Sequence, residues 1–195
     1  MCKKQLIFGI GVNDYDGHVR INGKIIKSYD VWHSMIERCY SKKSHKKRPT
    51  YIGCKVHKEW LYFSNFKKWF DENYIEGYEL DKDILFKGNK WYCTDTCAFV
   101  PKEINSLFTK HDSKRGNFPI GVSYKKEIKK FYSSVSINGV IKNLGFFNND
   151  KEAFYAYKKE KEKNIKEMAE KYFKDRLITE NIYNAMISYK VDIND

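Results

Sequence analysis

Apolar side chains recur along this chain in two rhythms, at every second position in some stretches and at every third or fourth in others. Residues 6–12 are largely apolar, Asn13, Asp14, Asp16 and Gly17 follow as a loop, and residues 19–26 are interrupted by Asn22-Gly23. An Asn-Gly step favours a tight turn, so residues 6–27 predict a hairpin. From residue 29 the period lengthens. Tyr29, Trp32, Met35, Ile36, Cys39 and Tyr40 share one helical face, and Trp60, Phe63, Phe66, Trp69 and Phe70 form a second stripe that Ser64 or Asn65 can cap. Residues 42–58 lie between these helices, contain Pro49 and Gly53, and read as a loop. Residues 78–86 and 91–99 read as two short strands joined by the turn Lys87-Gly88-Asn89-Lys90. Pro101 then stands where proline suits the first position of a short helix reaching Phe108.

The second half follows a simpler plan. Residues 109–117 are polar and turn-prone; strands are predicted over 120–124, 131–137 and 140–146, the last two joined by Asn138-Gly139. Asn149 and Glu152 have the spacing of a capping box, and Ala153, Phe154, Ala156 and Tyr157 give the following helix its buried face. That helix continues to Lys174 with Lys/Glu pairs at helical spacing, which mark a solvated face. Ile178, Ile182, Tyr183, Met186 and Tyr189 predict one more amphipathic helix. The expectation is an α+β chain of two small domains, 1–110 and 118–195, with 111–117 as linker.

Composition narrows the class. At 42% hydrophobic and 16% aromatic, the 195 residues are too apolar for a disordered tail. No apolar run approaches membrane-spanning length, and the N-terminus lacks the length and cleavage site of a signal peptide. The expected setting is a reducing cytoplasm, with the five cysteines free of disulfides. The net charge of +12 is concentrated: residues 42–58 hold seven Lys/Arg and no carboxylate, and residues 102–130 hold eight against three. Those two surpluses equal the whole net charge, and such blocks are an electrostatic footprint for phosphate. In the first, Lys46, Lys47 and Arg48 are candidate phosphate contacts; in the second, Lys114, Arg115, Lys125 and Lys126 are. An evenly solvated basic surface is the plain alternative.

Leu80-Asp81-Lys82-Asp83-Ile84, Gly88-Asn89, Cys97-Ala98-Phe99-Val100-Pro101 and Ile104-Asn105 run in the order strand, turn, strand, helix. With the preceding Trp32-x-x-Met35-x-x-Arg38-Cys39-Tyr40 and Val56-x-x-x-Trp60-x-x-Phe63-x-x-Phe66, this stretch resembles phage-encoded HNH (ββα-metal) homing endonucleases over roughly residues 28–108. The resemblance implies duplex DNA as substrate and one divalent cation, Mg²⁺ by ligand type, gripping the scissile phosphate. It places Asp81 and Asn105 as metal ligands and Asn89 as the residue orienting the base, in a chain resident in a bacterial host cytoplasm if phage-encoded. The position of the family's general-base histidine is Lys82, and an ammonium does not simply replace imidazole. Asp83 is the nearest alternative base; strand alternation puts it on the face of Asp81, where it could instead be a second ligand. His57, from the loop, is a further alternative.

Gly121-Val122, Lys130-Phe131, Leu144-Gly145-x-Phe147 and Glu152-Ala153-x-x-Ala156-Tyr157 resemble the Apetala/ethylene-response-factor DNA-binding domain over roughly residues 117–165. That resemblance implies a three-stranded sheet packed on one helix, its outer face laid in the major groove. Alternation sends Phe131, Ser133, Val135 and Ile137 toward the helix and Tyr132, Ser134 and Ser136 toward DNA. Ser123, Lys125, Lys126, Lys129, Lys142 and Asn143 join them where phosphates or base edges are in reach. Cys93-x-x-x-Cys97 has no close partner pair, since Cys39 and Cys54 stand apart in sequence, so zinc is not expected. The sequence therefore predicts a metal-dependent DNA endonuclease, compatible with a monomer and without a membrane. The alternatives are a DNA-binding protein whose nuclease site has lost its base, and a protein whose basic surface engages an acidic partner protein.

Overall fold

Asn22 and Gly23 both take positive φ, 49° and 78°, the geometry of a tight hairpin turn, and fold β1 (Arg20–Ile21) back on β2 (Lys24–Ile25). The computed structural model describes residues 6–109 and 118–195. The expected hairpin over 6–27 is shortened to this pair. Ile7 bridges Gly11 in a turn of its own, and Val12 runs parallel to Tyr62 instead of pairing with residues 19–26. The local reason is Trp32, whose ring lies 3.2 Å from where a Cβ on Gly11 would stand, so the glycine lets the backbone close over the indole.

The first aromatic stripe forms α1 (Lys27–Tyr40), with Trp32, Met35 and Ile36 fully buried. Trp32 Nε1 donates to the Trp60 carbonyl at 2.7 Å, so the buried indole keeps no unpaired donor. The basic segment expected as a loop instead begins with a helix, α2 (Lys42–Lys47), followed by a 3₁₀ turn at Pro49–Tyr51. Ser41 Oγ accepts from the Ser44 amide at 3.3 Å, and His45 Nε2 lies 3.0 and 3.1 Å from the carbonyls of Arg38 and Cys39. Carbonyls only accept, so that nitrogen donates, and it satisfies the open C-terminal end of α1. After β3 (Lys55–Val56), the second stripe forms α3 (Phe63–Asn73). Its cap comes from neither Ser64 nor Asn65: Asp14 accepts from the Ser64 amide at 2.9 Å and from its hydroxyl at 2.6 Å. Trp32, Phe63, Phe66, Val56, Tyr92 and Phe99 belong to one core.

The strand expected over 91–99 is broken in two, and only its last residues pair with the strand before the Gly88 turn. β4 (Tyr78–Asp81) is antiparallel to β6 (Ala98–Pro101), whereas β5 (Trp91–Tyr92) pairs parallel to β3. α4 (Lys102–Phe108) follows directly, and the first compact unit ends at Lys102, earlier than the sequence pattern suggests.

The second unit, Glu103–Asp195, contains the sheet β7 (Val122–Lys125), β8 (Lys130–Ile137) and β9 (Val140–Phe147), antiparallel in that order, with α5 (Asp150–Lys174) packed against it and α6 (Glu180–Ser188) against α5. The architecture is thus mixed α+β. Asn149 caps α5 as its spacing predicts, accepting from the Glu152 amide at 2.8 Å. Val122, Val135, Ala153, Phe154 and Tyr157 form the core between sheet and helix. Lys114 and Arg115, with the rest of the expected linker, lie outside the described residues. No helix among the described residues is long and apolar enough to cross a membrane.

Gly121 has φ +76°, and an added Cβ would stand 2.1 Å from the Tyr157 ring. Gly139 has a similar φ, +78°, with nothing within 4 Å. Gly121→Ala should therefore cost about 2–4 kcal/mol, from backbone strain plus overpacking, and Gly139→Ala only about 1 kcal/mol. Urea unfolding of the two variants measures the difference; equal losses would show that Tyr157 yields freely.

Candidate nucleic-acid interface

Asp81, at the end of β4, turns its carboxylate back on its own chain. Oδ1 accepts from the amides of Asp83 at 2.7 Å and Ile84 at 2.6 Å, which ends the strand and takes Asp83 out of it. Asp83 therefore does not share a strand face with Asp81, contrary to the alternation argument. Lys82 is buried, and its Nζ donates to both Asp83 carboxylate oxygens at 2.6 Å and to the Asn89 carbonyl at 2.7 Å. Asn89 completes the loop: its Nδ2 donates to the carbonyls of Lys82 and Trp91, and its Oδ1 accepts from the Trp91 amide. The four residues predicted as catalytic are therefore gathered together, and they are bonded chiefly to one another.

This donor set suits the lysine better than a divalent ion. An ammonium already bridges the two Asp83 oxygens, and one Asp81 oxygen is committed to backbone amides. Asn105 lies on α4, which groups with the second unit. Among the described residues no group of three or more His, Cys, Asp or Glu is arranged to hold a metal ion. Burial pushes the thiols of Cys39 and Cys97 up to about 12, so neither is a ready thiolate. His57 caps a 3₁₀ turn at Lys58–Leu61 through its backbone.

The first basic block presents Lys42, Lys43, Lys46, Lys47, Arg48, Lys55 and Lys58 as exposed side chains, none of them ion-paired among the described residues. β3 and β5 add neighbours that the linear pattern did not single out. Lys55 lies opposite Trp91, its Nζ 5.6 Å from the centre of that half-exposed ring, and Lys90 reaches the Thr50 carbonyl. Only the parallel pairing of two short strands creates this cluster, and nothing local in the sequence signals it.

In the second unit the outer sheet face carries Ser123, Lys125, Lys130, Tyr132, Ser134, Ser136, Asn143 and Phe146, with Phe131, Val135 and Ile137 turned toward α5. Lys125 Nζ lies 5.4 Å from the Tyr132 ring centre, and Lys126 and Lys129 are exposed in the β7–β8 connection. Lys142 departs from the expected arrangement. Ser133 lies opposite Gly145 and Ser134 opposite Asn143, so Leu144 is an extra residue on β9. With that bulge Lys142 stands opposite Val135, on the helix side, and its Nζ bonds Glu160 of α5 at 2.7 Å. Phe146 and Lys130 take positions on the outer face that the sequence reading left out.

Comparison with family models, curated proteins and solved structures finds no match for this chain.

Burial holds the Asp81 carboxyl above its ordinary value, with the amides of Ile84 and Asp83 opposing the shift. A carboxyl raised on folding makes the folded state less stable as pH climbs from the unfolded group's value through the folded one. Asp81→Asn keeps an oxygen for both amides and removes that charge. The variant should lose this decline just above the usual carboxylate range and be at least as stable as the parent at neutral pH. Thermal unfolding followed across pH checks it; a variant less stable at neutral pH would mean the charge itself is needed.

Proposed function

We propose that this chain binds duplex DNA. The observation that carries the reading is the pairing of its charges. The described cations of both basic blocks lack carboxylate partners, whereas several lysines on and around α5 have one: Lys158 with Glu162, Lys163 with Glu167, Lys142 with Glu160. Uncompensated exposed cations release counterions when they meet a polyanion, and that release drives phosphate binding. On this reading the first unit is an HNH-like clamp and the second presents an Apetala/ethylene-response-factor-like sheet to the groove. Strand β4, its antiparallel partner β6 and the helix that follows occur in the order that the first resemblance implies.

A second reading, Mg²⁺-dependent nicking, draws on that same order and on Asp81, whose second oxygen is not among the atoms bonded to the Asp83 and Ile84 amides. It requires Lys82 to leave Asp83, or another group to activate water.

A gel shift titrated with salt tests the first reading. Affinity should fall steeply with salt, and Lys125→Ala with Lys126→Ala should flatten the slope of log K against log salt by about two, close to one per lost phosphate contact. An unchanged slope would remove this end of the sheet from the phosphate-contacting surface, and absence of duplex binding would leave an acidic partner protein as the better reading. Supercoiled-plasmid nicking with and without Mg²⁺, repeated with Asp81→Ala, decides the second. Metal-dependent nicking abolished by the substitution supports it, and an intact plasmid sinks it.

A further inference from the structure

β7 covers only part of the sheet. Its four residues pair with Lys130–Ser133 of β8 and the Gly121 carbonyl still accepts from the Ser134 amide at 3.0 Å, so from Val135 to the Asn138-Gly139 turn the sheet is a two-stranded β8–β9 ribbon. A two-stranded ribbon is one of the elements that the major groove of B-DNA admits. The outer-face rows follow from the register: Tyr132 opposite Phe146 where β7 still pairs, then Ser134 opposite Asn143 and Ser136 opposite Ile141 toward the ribbon. Ile141 is 72% exposed and Phe146 51%, and the Tyr132 and Phe146 ring centres stand 5.3 Å apart. The hydrogen-bonding capacity of these rows is small. Asn143 Oδ1 already accepts from the Gly145 amide at 2.8 Å, and the rest is the Asn143 amide nitrogen, two serine hydroxyls and the tyrosine.

No arginine or lysine stands in the three rows. The cations gather at one end, with Lys125 over the Tyr132 ring, Lys130 bonded to Asn148, and Lys126 and Lys129 in the connection. Guanine is read in the major groove chiefly by a bidentate Arg or Lys, which these rows do not supply. Thymine offers a C5 methyl, which an apolar side chain reads by contact, and the amide and hydroxyls suit adenine or either base. Large apolar side chains left in water on an outer face gain nothing there and gain burial against a methyl. We infer that this face selects A·T-rich duplex DNA, with Ile141 and Phe146 against thymine methyls in the major groove and the cations of residues 125–130 on flanking phosphates. The inference rests on the duplex-binding reading above and adds base preference to it.

The test uses the full chain with an A·T-rich mixed-sequence duplex and the same duplex carrying deoxyuridine in place of thymidine, which removes only the methyls. A G·C-rich duplex of equal length serves as a further competitor. The uridine duplex should bind about fourfold more weakly for each methyl in contact, the equivalent of one buried methyl-sized group, and the G·C-rich duplex more weakly than the A·T-rich one. The double variant Ile141→Ser, Phe146→Ser changes exposed positions only. It should bind the thymidine and uridine duplexes alike while keeping the parental salt slope. Equal affinity of the unmodified chain for the two duplexes overturns the inference, as does methyl discrimination that survives in the double variant. Preference for single strands over duplex also overturns it, since stacked bases would then replace the groove. Failure to bind any of these DNAs would instead sink the duplex-binding reading beneath it.

Discussion

Strand alternation on β8 sets what the second unit can offer a partner. Phe131, Val135 and Ile137 pack toward α5, and Ser133, fully buried among them, is a small residue like the fully buried Ala153 of that helix. A one-residue slip would send the whole set outward, so the buried face fixes the exposed one. Ser133 Oγ has no hydrogen-bond partner among the described residues, a cost the layer bears. The bulge at Leu144 then decides the neighbouring strand. It leaves Asn143 outside and carries Lys142 round to Glu160, so one lysine placed on the outer face by the linear sequence is ion-paired to the helix at the surface instead.

A comparable internal economy governs the loop after β4. Catalysis of the HNH type needs a base that can surrender its proton and a carboxylate open to a metal. Lys82 instead keeps its ammonium out of water, and Asp83 and the Asn89 carbonyl supply the bonds that burial demands. A divalent ion would compete with that ammonium for the Asp83 oxygens. The same residues that resemble a nuclease site therefore also account for how residues 81–91 hold their shape without β4 and β5 pairing. That is why DNA binding, which asks nothing of Lys82, is the stronger reading, and why cleavage requires the loop to rearrange.

The legible parts of the fold are those written in local periodicity. The stripes on α1 and α3, the Asn149 cap and the Asn138-Gly139 turn need only residues near one another in sequence, and the structure has each of these stripes, the cap and the turn. What was not legible depends on distant partners. Asp14 caps a helix 50 residues away, β3 rather than β4 receives β5, and His45 secures α2 by bonding the end of α1. The candidate site divides the same way. Tyr132, Ser134 and Ser136 are read correctly to the outer face from alternation alone. Lys142 is not, because a bulge leaves no mark that alternation can register, and Trp91 gains Lys55 as a neighbour only once two short strands meet.

The basic helix α2 shows why the distribution of charge matters more than its amount. A helix favours cations in its last turn, where Lys46 and Lys47 stand, so those two have a local reason to be there. Lys42 and Lys43 occupy the first turn, where the helix dipole opposes a cation by about 0.3–1 kcal/mol each and no acidic residue offsets them. Helix stability does not explain a surplus placed at the unfavourable end, exposed and without carboxylate partners. On the duplex-binding reading a polyanion does: phosphates beside that end would offset the local cost of those charges.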